Sequence, residues 1–135
     1  MTVKSEKTIM DAADMKRTLE RMAYEILDRN HGADNLALVG LQTRGVHIAR
    51  RIAATIKTIE KTEIPVGILD VTLYRDDFRS ALKQPKVQVT TIPFDVEETT
   101  VILVDDVFYT ARTMRSALDA IMDFGRPGRV RIAVL

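Results

Sequence analysis

The sequence predicts an α/β domain, a parallel sheet flanked by helices, with a lid hairpin rising from the carboxyl edge of the sheet. Three observations carry that prediction. Residues 36–39, 66–71 and 101–104 are short runs dominated by apolar residues, as expected of strands buried on both faces. Apolar residues at helical spacing precede the first run, separate it from the second and follow the third. No internal repeat, low-complexity tract or linker divides residues 1–135, so a single domain is expected.

Taken in order, residues 1–9 read as a flexible polar lead. Asp11 has the chemistry of an N-cap, and Ala12, Met15, Leu19, Met22, Ala23, Ile26 and Leu27 form one apolar stripe until Asn30, His31 and Gly32 stop the helix. Its other face carries Lys16, Arg17, Glu20, Arg21, Glu25, Asp28 and Arg29, a pattern that suits a solvated surface with i,i+4 pairs. Residues 36–39 make a short strand closed by Gly40. LQTRG then leads into the helix GVHIARRIAATI, whose stripe uses Val46, Ile48, Ala49, Ile52 and Ile56. His47 reads as structural there, and His31 as a turn residue.

Pro65 is tolerable before the next strand, residues 66–71, which Thr72, Leu73, Tyr74 and Arg75 extend. Asp76, Asp77, Arg79, Ser80, Lys83, Gln84, Pro85 and Lys86 are too polar for a core and predict an exposed excursion, with extended structure resuming at residues 87–92. Its place after a sheet strand suits a lid that closes over substrate. The last helix covers MRSALDAIMDFG, stopped by Gly125 and Pro127, and residues 129–135 give a final strand.

The chemistry concentrates in VILVDDVFYTART, residues 101–113. Asp105 and Asp106 follow the apolar run at the carboxyl end of its strand, the edge where open α/β sheets place their ligand crevice. Thr110, Ala111, Arg112 and Thr113 then lead into a helix, whose unpaired N–H groups and positive dipole end suit a phosphate, with two hydroxyl donors beside them. Carboxylates next to such a cradle accept hydrogen bonds from sugar hydroxyls or hold Mg²⁺. A sugar phosphate satisfies both halves. Read alone, the acidic pair is equally consistent with a strand end and a helix cap. Thr43, Arg44 and Gly45 in LQTRG are a second strand-loop-helix junction with N–H, hydroxyl and guanidinium groups for an anion, against the alternative of an ordinary βα turn. No GxxxxGK[ST] or GxGxxG occurs, which excludes a P-loop and a Rossmann fingerprint.

The stretch at residues 101–113 resembles the 5-phosphoribosyl-1-diphosphate (PRPP) motif of type I phosphoribosyltransferases. Together with LVGLQTRGVHIARRIA from Leu38, IPVGILDVTLYRDD from Ile64 and ALDAIMDFGRP from Ala117, VDDVFYTART is most like the PyrR family of pyrimidine operon attenuation regulators that are also uracil phosphoribosyltransferases. The resemblance runs from Met10 onward. It implies a phosphoribosyltransferase fold, conversion of uracil and PRPP to UMP and diphosphate, and UMP-responsive binding to pyrimidine-operon leader mRNA. Asp105 and Asp106 would act on the ribose and, mostly indirectly, on Mg²⁺. Tyr109, Thr110, Ala111, Arg112 and Thr113 would hold the 5′-phosphate; Thr43, Arg44 and Gly45 the diphosphate. Tyr74, Arg75 and Arg79 would close as a lid, and Arg21 and Arg29 would touch RNA. A homodimer or tetramer in the cytoplasm is implied as well.

Three positions depart from the family pattern. Ala111 stands where the family has glycine, and a left-handed backbone there would cost about 1 kcal/mol. Glu20 stands where a neutral hydroxyl residue is expected. No VDRGH-like turn follows AVL, so the C-terminal base-pocket segment is expected to be absent, with slow uracil turnover and poor discrimination among nucleoside monophosphates. The alternatives are a non-catalytic nucleotide-sensing RNA-binding module and a phosphoribosyltransferase for another base. The latter should lack LDVTLYRDD, and often carries an acid where this chain has Tyr109.

Composition narrows the classes further. The absence of cysteine removes thiol catalysis, cysteine zinc sites and disulfides. Twenty basic residues against 19 acidic ones leave +1, so any RNA site must be a local patch. No apolar run approaches the length of a membrane helix or has a signal-peptide core, and the expectation is a soluble intracellular protein without a membrane partner.

Overall fold

The computed structural model describes residues 11–41, 44–75, 83–105 and 111–135. The elements are α1 (Ala12–Asn30), β1 (Leu36–Leu41), α2 (Arg44–Glu60), β2 (Val66–Arg75), β3 (Lys83–Thr91), β4 (Thr100–Asp105), α3 (Ala111–Met122) and β5 (Arg129–Val134). They build one five-stranded sheet in the order β3-β2-β1-β4-β5. β2, β1, β4 and β5 run parallel, and β3 returns antiparallel as an edge strand.

α1 starts where a capping box satisfies its first N–H groups. The Asp11 carboxylate accepts from the Asp14 backbone at 2.8 Å, and Asp14 accepts in return from the Asp11 N–H. It ends in a Schellman arrangement, with Gly32 N–H donating to the Leu27 carbonyl at 2.8 Å and His31 N–H to Asp28. His31 takes the left-handed conformation, φ 58°.

Every β1 residue is buried, as a central strand covered on both faces requires. On one face Leu36, Leu38, Ile102 and Val104 pack beneath Leu19, Met22, Ala23 and Leu27 of α1 and Ile48, Ala49, Ile52 and Ile56 of α2. On the other, Val39, Leu41, Leu69, Val101 and Leu103 meet Met114, Ala117 and Ile121 of α3. Helices thus cover both faces, and the period-2 alternation of β1 and β4 divides one sheet between two cores.

Several boundaries differ from the sequence expectation, among them the ends of α2, which runs on to Glu60, and of α3, which stops at Met122. Gly40 does not close β1 but lies within it, because the strand needs a residue without a side chain where α2 crosses. β3 pairs from Lys83 rather than residue 87, with Arg75 opposite Lys83 and Leu73 opposite Pro85. Pro85 is acceptable because β3 is an edge strand. α3 begins at Ala111, so Ala111, Arg112 and Thr113 form its first turn rather than a loop before it.

Candidate functional site

The strand order fixes where a ligand crevice must open. After β1 the chain moves through α2 to β2 on one side; after β4 it moves through α3 to β5 on the other. β1 and β4 are neighbours, paired from Leu36↔Thr100 to Gly40↔Val104, so their carboxyl ends form a topological switch point. α2 and α3 leave those two ends on opposite faces of the sheet. Two helix N-termini, each with N–H groups unused by the helix, therefore flank one gap.

Asp105 is the last residue of β4, and only 3% of it is exposed. It has further interactions, and its buried Oδ2 makes no hydrogen bond among the described residues. The Leu135 N–H donates to its backbone carbonyl at 3.2 Å, tying the end of β5 to the same edge. Arg44 opens α2 and is exposed, with interactions of its own.

Close backbone packing holds the two loops' anchors together. A Cβ on Gly45 would stand 2.3 Å from the Val104 carbonyl oxygen, and one on Gly40 would stand 2.5 Å from Val46 Cα. Both distances are far inside van der Waals contact. The start of α2 is thereby pressed against the ends of β1 and β4, within one residue of Asp105.

The structure brings Arg44, Gly45 and Asp105 to one edge, with the backbone of Ala111, Arg112 and Thr113 beginning the helix that follows β4. Tyr74 and Arg75 end β2, at the same end of the parallel sheet, and pair with Gln84 and Lys83. Thr43, Arg79, Asp106, Tyr109 and Thr110 lie outside the described residues. Arg21 and Arg29 are exposed on α1, and Arg29 lies 3.7 Å from Glu25.

Ala111 resolves one expectation. As the first residue of α3 it has ordinary helical backbone, and no left-handed conformation is needed. Ala111→Gly is expected to leave ribose-5-phosphate affinity unchanged in calorimetry and to cost under about 1 kcal/mol of stability, since glycine is the poorer helix former.

A cleft of about 650 Å³ opens elsewhere, between α1 and β5, lined among others by Glu25, Arg29 and Arg131. Asp105 is not part of its lining. Tyr24 is 59% exposed on α1. It lies off the Ala23, Ile26, Leu27 stripe.

A parallel sheet with a switch point between β1 and β4, a buried carboxylate at one strand end and a helix starting after each of the two strands is the layout of an open α/β ligand crevice. The comparisons agree. The family of phosphoribosyl transferase domains matches residues 5–135. A relative named "Bifunctional protein PyrR" from Roseiflexus sp. is 54% identical over 130 residues, 96% of this chain and 71% of the relative. Another of that name, from Deinococcus deserti, is 51% identical over 95% of this chain and 70% of its own length. Among solved structures, a purine phosphoribosyltransferase from Pyrococcus horikoshii superposes with TM-score 0.68 at 22% identity, over 93% of this chain and 74% of its own. A hypoxanthine phosphoribosyltransferase from Trypanosoma cruzi gives 0.75 at 17% identity, over 96% and 71%. These last two establish the shared fold. This chain belongs to the PyrR family of phosphoribosyltransferase-domain proteins.

Proposed function

We propose that the chain transfers the phosphoribosyl group of PRPP to uracil, giving UMP and diphosphate, and that it regulates pyrimidine genes by UMP-responsive binding to leader mRNA. The observation that carries the first half is the switch point itself, where a buried Asp105 stands between two helix N-termini. PRPP has two anionic ends separated by a ribose, and this edge has two cradles separated by a carboxylate. The backbone N–H groups at the start of α2, with Thr43 and Arg44, hold the diphosphate. Those at the start of α3, with Tyr109, Thr110, Arg112 and Thr113, hold the 5′-phosphate.

Asp105 and Asp106 take the ribose between them. As the bond from C1 to diphosphate breaks and the uracil nitrogen approaches, positive charge grows on the ribose ring. A carboxylate already buried beside that ring stabilises the charge without reorganising. Catalysis is then largely positioning, and no protein nucleophile is required. Tyr74, Arg75 and Arg79 close the β2–β3 hairpin over the diphosphate and exclude water.

The donor set fits Mg²⁺. Among the described residues no group of three or more His, Asp or Glu is able to hold a metal by itself, and Mg²⁺ is commonly bound by one or two carboxylates completed by substrate oxygens and water. Asp105 and Asp106 would hold it, mostly through water, and its chemistry there is neutralisation of the leaving diphosphate.

For the RNA half, α1 offers Arg21 and Arg29 for phosphates and the exposed Tyr24 ring for stacking on an unpaired base. A dimer or tetramer in the cytoplasm is the assembly we propose. Among the described residues no helix is long and apolar enough to cross a membrane. The enzymatic reading is tested by a uracil-to-UMP assay with PRPP and Mg²⁺; UMP formation is expected, and its absence together with absent PRPP binding contradicts it. For the regulatory reading, Arg21→Ala is expected to weaken binding to a pyrimidine-leader hairpin and to lower the slope of log affinity against log salt by roughly 0.7 to 0.9. Wild-type affinity and slope would remove Arg21 from the interface.

A further inference from the structure

α2 carries a charge asymmetry that neither the fold nor the PRPP site requires. The helix, Arg44–Glu60, contains Arg44, Arg50, Arg51 and Lys57 against one acid, Glu60 at its last position, in a chain whose totals are 20 basic and 19 acidic. The helix buries Gly45, Val46, Ile48, Ala49, Ile52 and Ile56. Arg44, His47, Arg50, Arg51, Ala54 and Lys57 are all exposed, as are Thr58 and Glu60, and at 100° per residue the first six fall on one continuous stripe roughly 20 Å long, with Glu60 off it.

The neighbouring carboxylates do not neutralise the middle of this stripe. Lys57 lies 3.9 Å from Glu63. On α1, which packs against α2, Asp14 pairs with Arg17 and Glu25 with Arg29. Among the described residues, Arg50 and Arg51 have no carboxylate within ion-pair distance. Clustered like charge on a helix face costs stability through self-repulsion. Thr55, Ala54 and Thr58 on and beside the stripe add small groups that leave a polyanion room to approach.

We infer that the outer face of α2, centred on Arg50 and Arg51, is a second contact surface for the phosphate backbone of RNA. This rests on the RNA-binding reading above and extends it from α1 to its neighbour. The contacts are chiefly to phosphate, since arginines along a straight exposed row position a strand but do not read its bases, and His47 is the one ring on the stripe. The stripe begins at Arg44, at the PRPP edge, and leads away from it, so bound RNA would run beside the nucleotide crevice.

The test is the double substitution Arg50→Gln with Arg51→Gln in the full chain, assayed with a pyrimidine-leader hairpin and with the same hairpin carrying a scrambled loop, across a salt series. Both side chains are exposed, so folding and Mg²⁺-dependent PRPP affinity should match wild type. Affinity at low salt is expected to fall at least about tenfold for both hairpins, and the slope of log affinity against log salt to drop by roughly 1.5. Wild-type affinity and slope in the double variant, while Arg21→Ala weakens binding, would overturn the α2 surface and leave the RNA reading intact. No saturable hairpin binding by wild type would overturn both. Loss of binding to anionic phospholipid vesicles without loss of hairpin binding would also overturn it, in favour of a membrane.

Discussion

Asp105→Asn combined with Asp106→Asn is expected to weaken PRPP binding, measured by calorimetry with Mg²⁺, by an order of magnitude or more. Asparagine keeps the shape of each side chain but removes the charge that holds ribose hydroxyls and the metal. Asp105 should dominate the loss. It is 3% exposed at the end of β4, and a charge in that setting is screened by water less than an exposed one. The single variants separate the two positions. Unchanged affinity in the double variant would return the pair to the role of a strand end and helix cap, and the site would have to be sought elsewhere.

Gly45→Val is expected to damage stability and ligand binding together. The first atom of any side chain there would stand 2.3 Å from the Val104 carbonyl oxygen and 3.2 Å from Asp105 Cα. Neither neighbour is a flexible side-chain end, so α2 must move away from β4. Overpacking of this kind costs on the order of 1–3 kcal/mol, read as a lower denaturant midpoint. The displacement also separates the α2 N-terminus from Asp105, so affinity for PRPP should fall at least about tenfold under conditions where the variant is still folded. A folded variant with wild-type PRPP affinity would show that the spacing between α2 and β4 is not what organises the crevice.

Much of this architecture was legible because the signals are local. The stripe from Ala12 to Leu27, the capping chemistry of Asp11 and the apolar run before Asp105 each follow from short-range spacing, and the structure has α1 and β4 there. Gly40 was misread as a strand end because its reason is remote in sequence: it makes room for Val46 where α2 crosses β1. Gly45 was assigned to an anion loop from composition, but its contact with Val104 joins residues 59 positions apart and cannot be inferred from either neighbourhood. The sequence reading places residues 111–113 in the loop before α3, where Thr110 and Thr113 are weak helix formers, whereas the helix begins at Ala111 and the next turn packs Met114 and Ala117 on the sheet. Of the candidate site, the strand-end carboxylate was readable. The switch point was not, because it depends on the order of β1 and β4 in the sheet, which the chain order of elements leaves open.

The central claim is that the nucleotide crevice lies at the carboxyl ends of β1 and β4 and not in the cleft between α1 and β5. The direct measurement is a backbone amide NMR titration of the isotope-labelled chain with PRPP and Mg²⁺. The account predicts saturable shifts that are largest at Leu41, Arg44, Gly45, Val46, Asp105 and the first turn of α3, with residues of the α1–β5 cleft little moved. Largest shifts at Glu25, Arg29 and Arg131, with Gly45 and Asp105 unmoved, would contradict it.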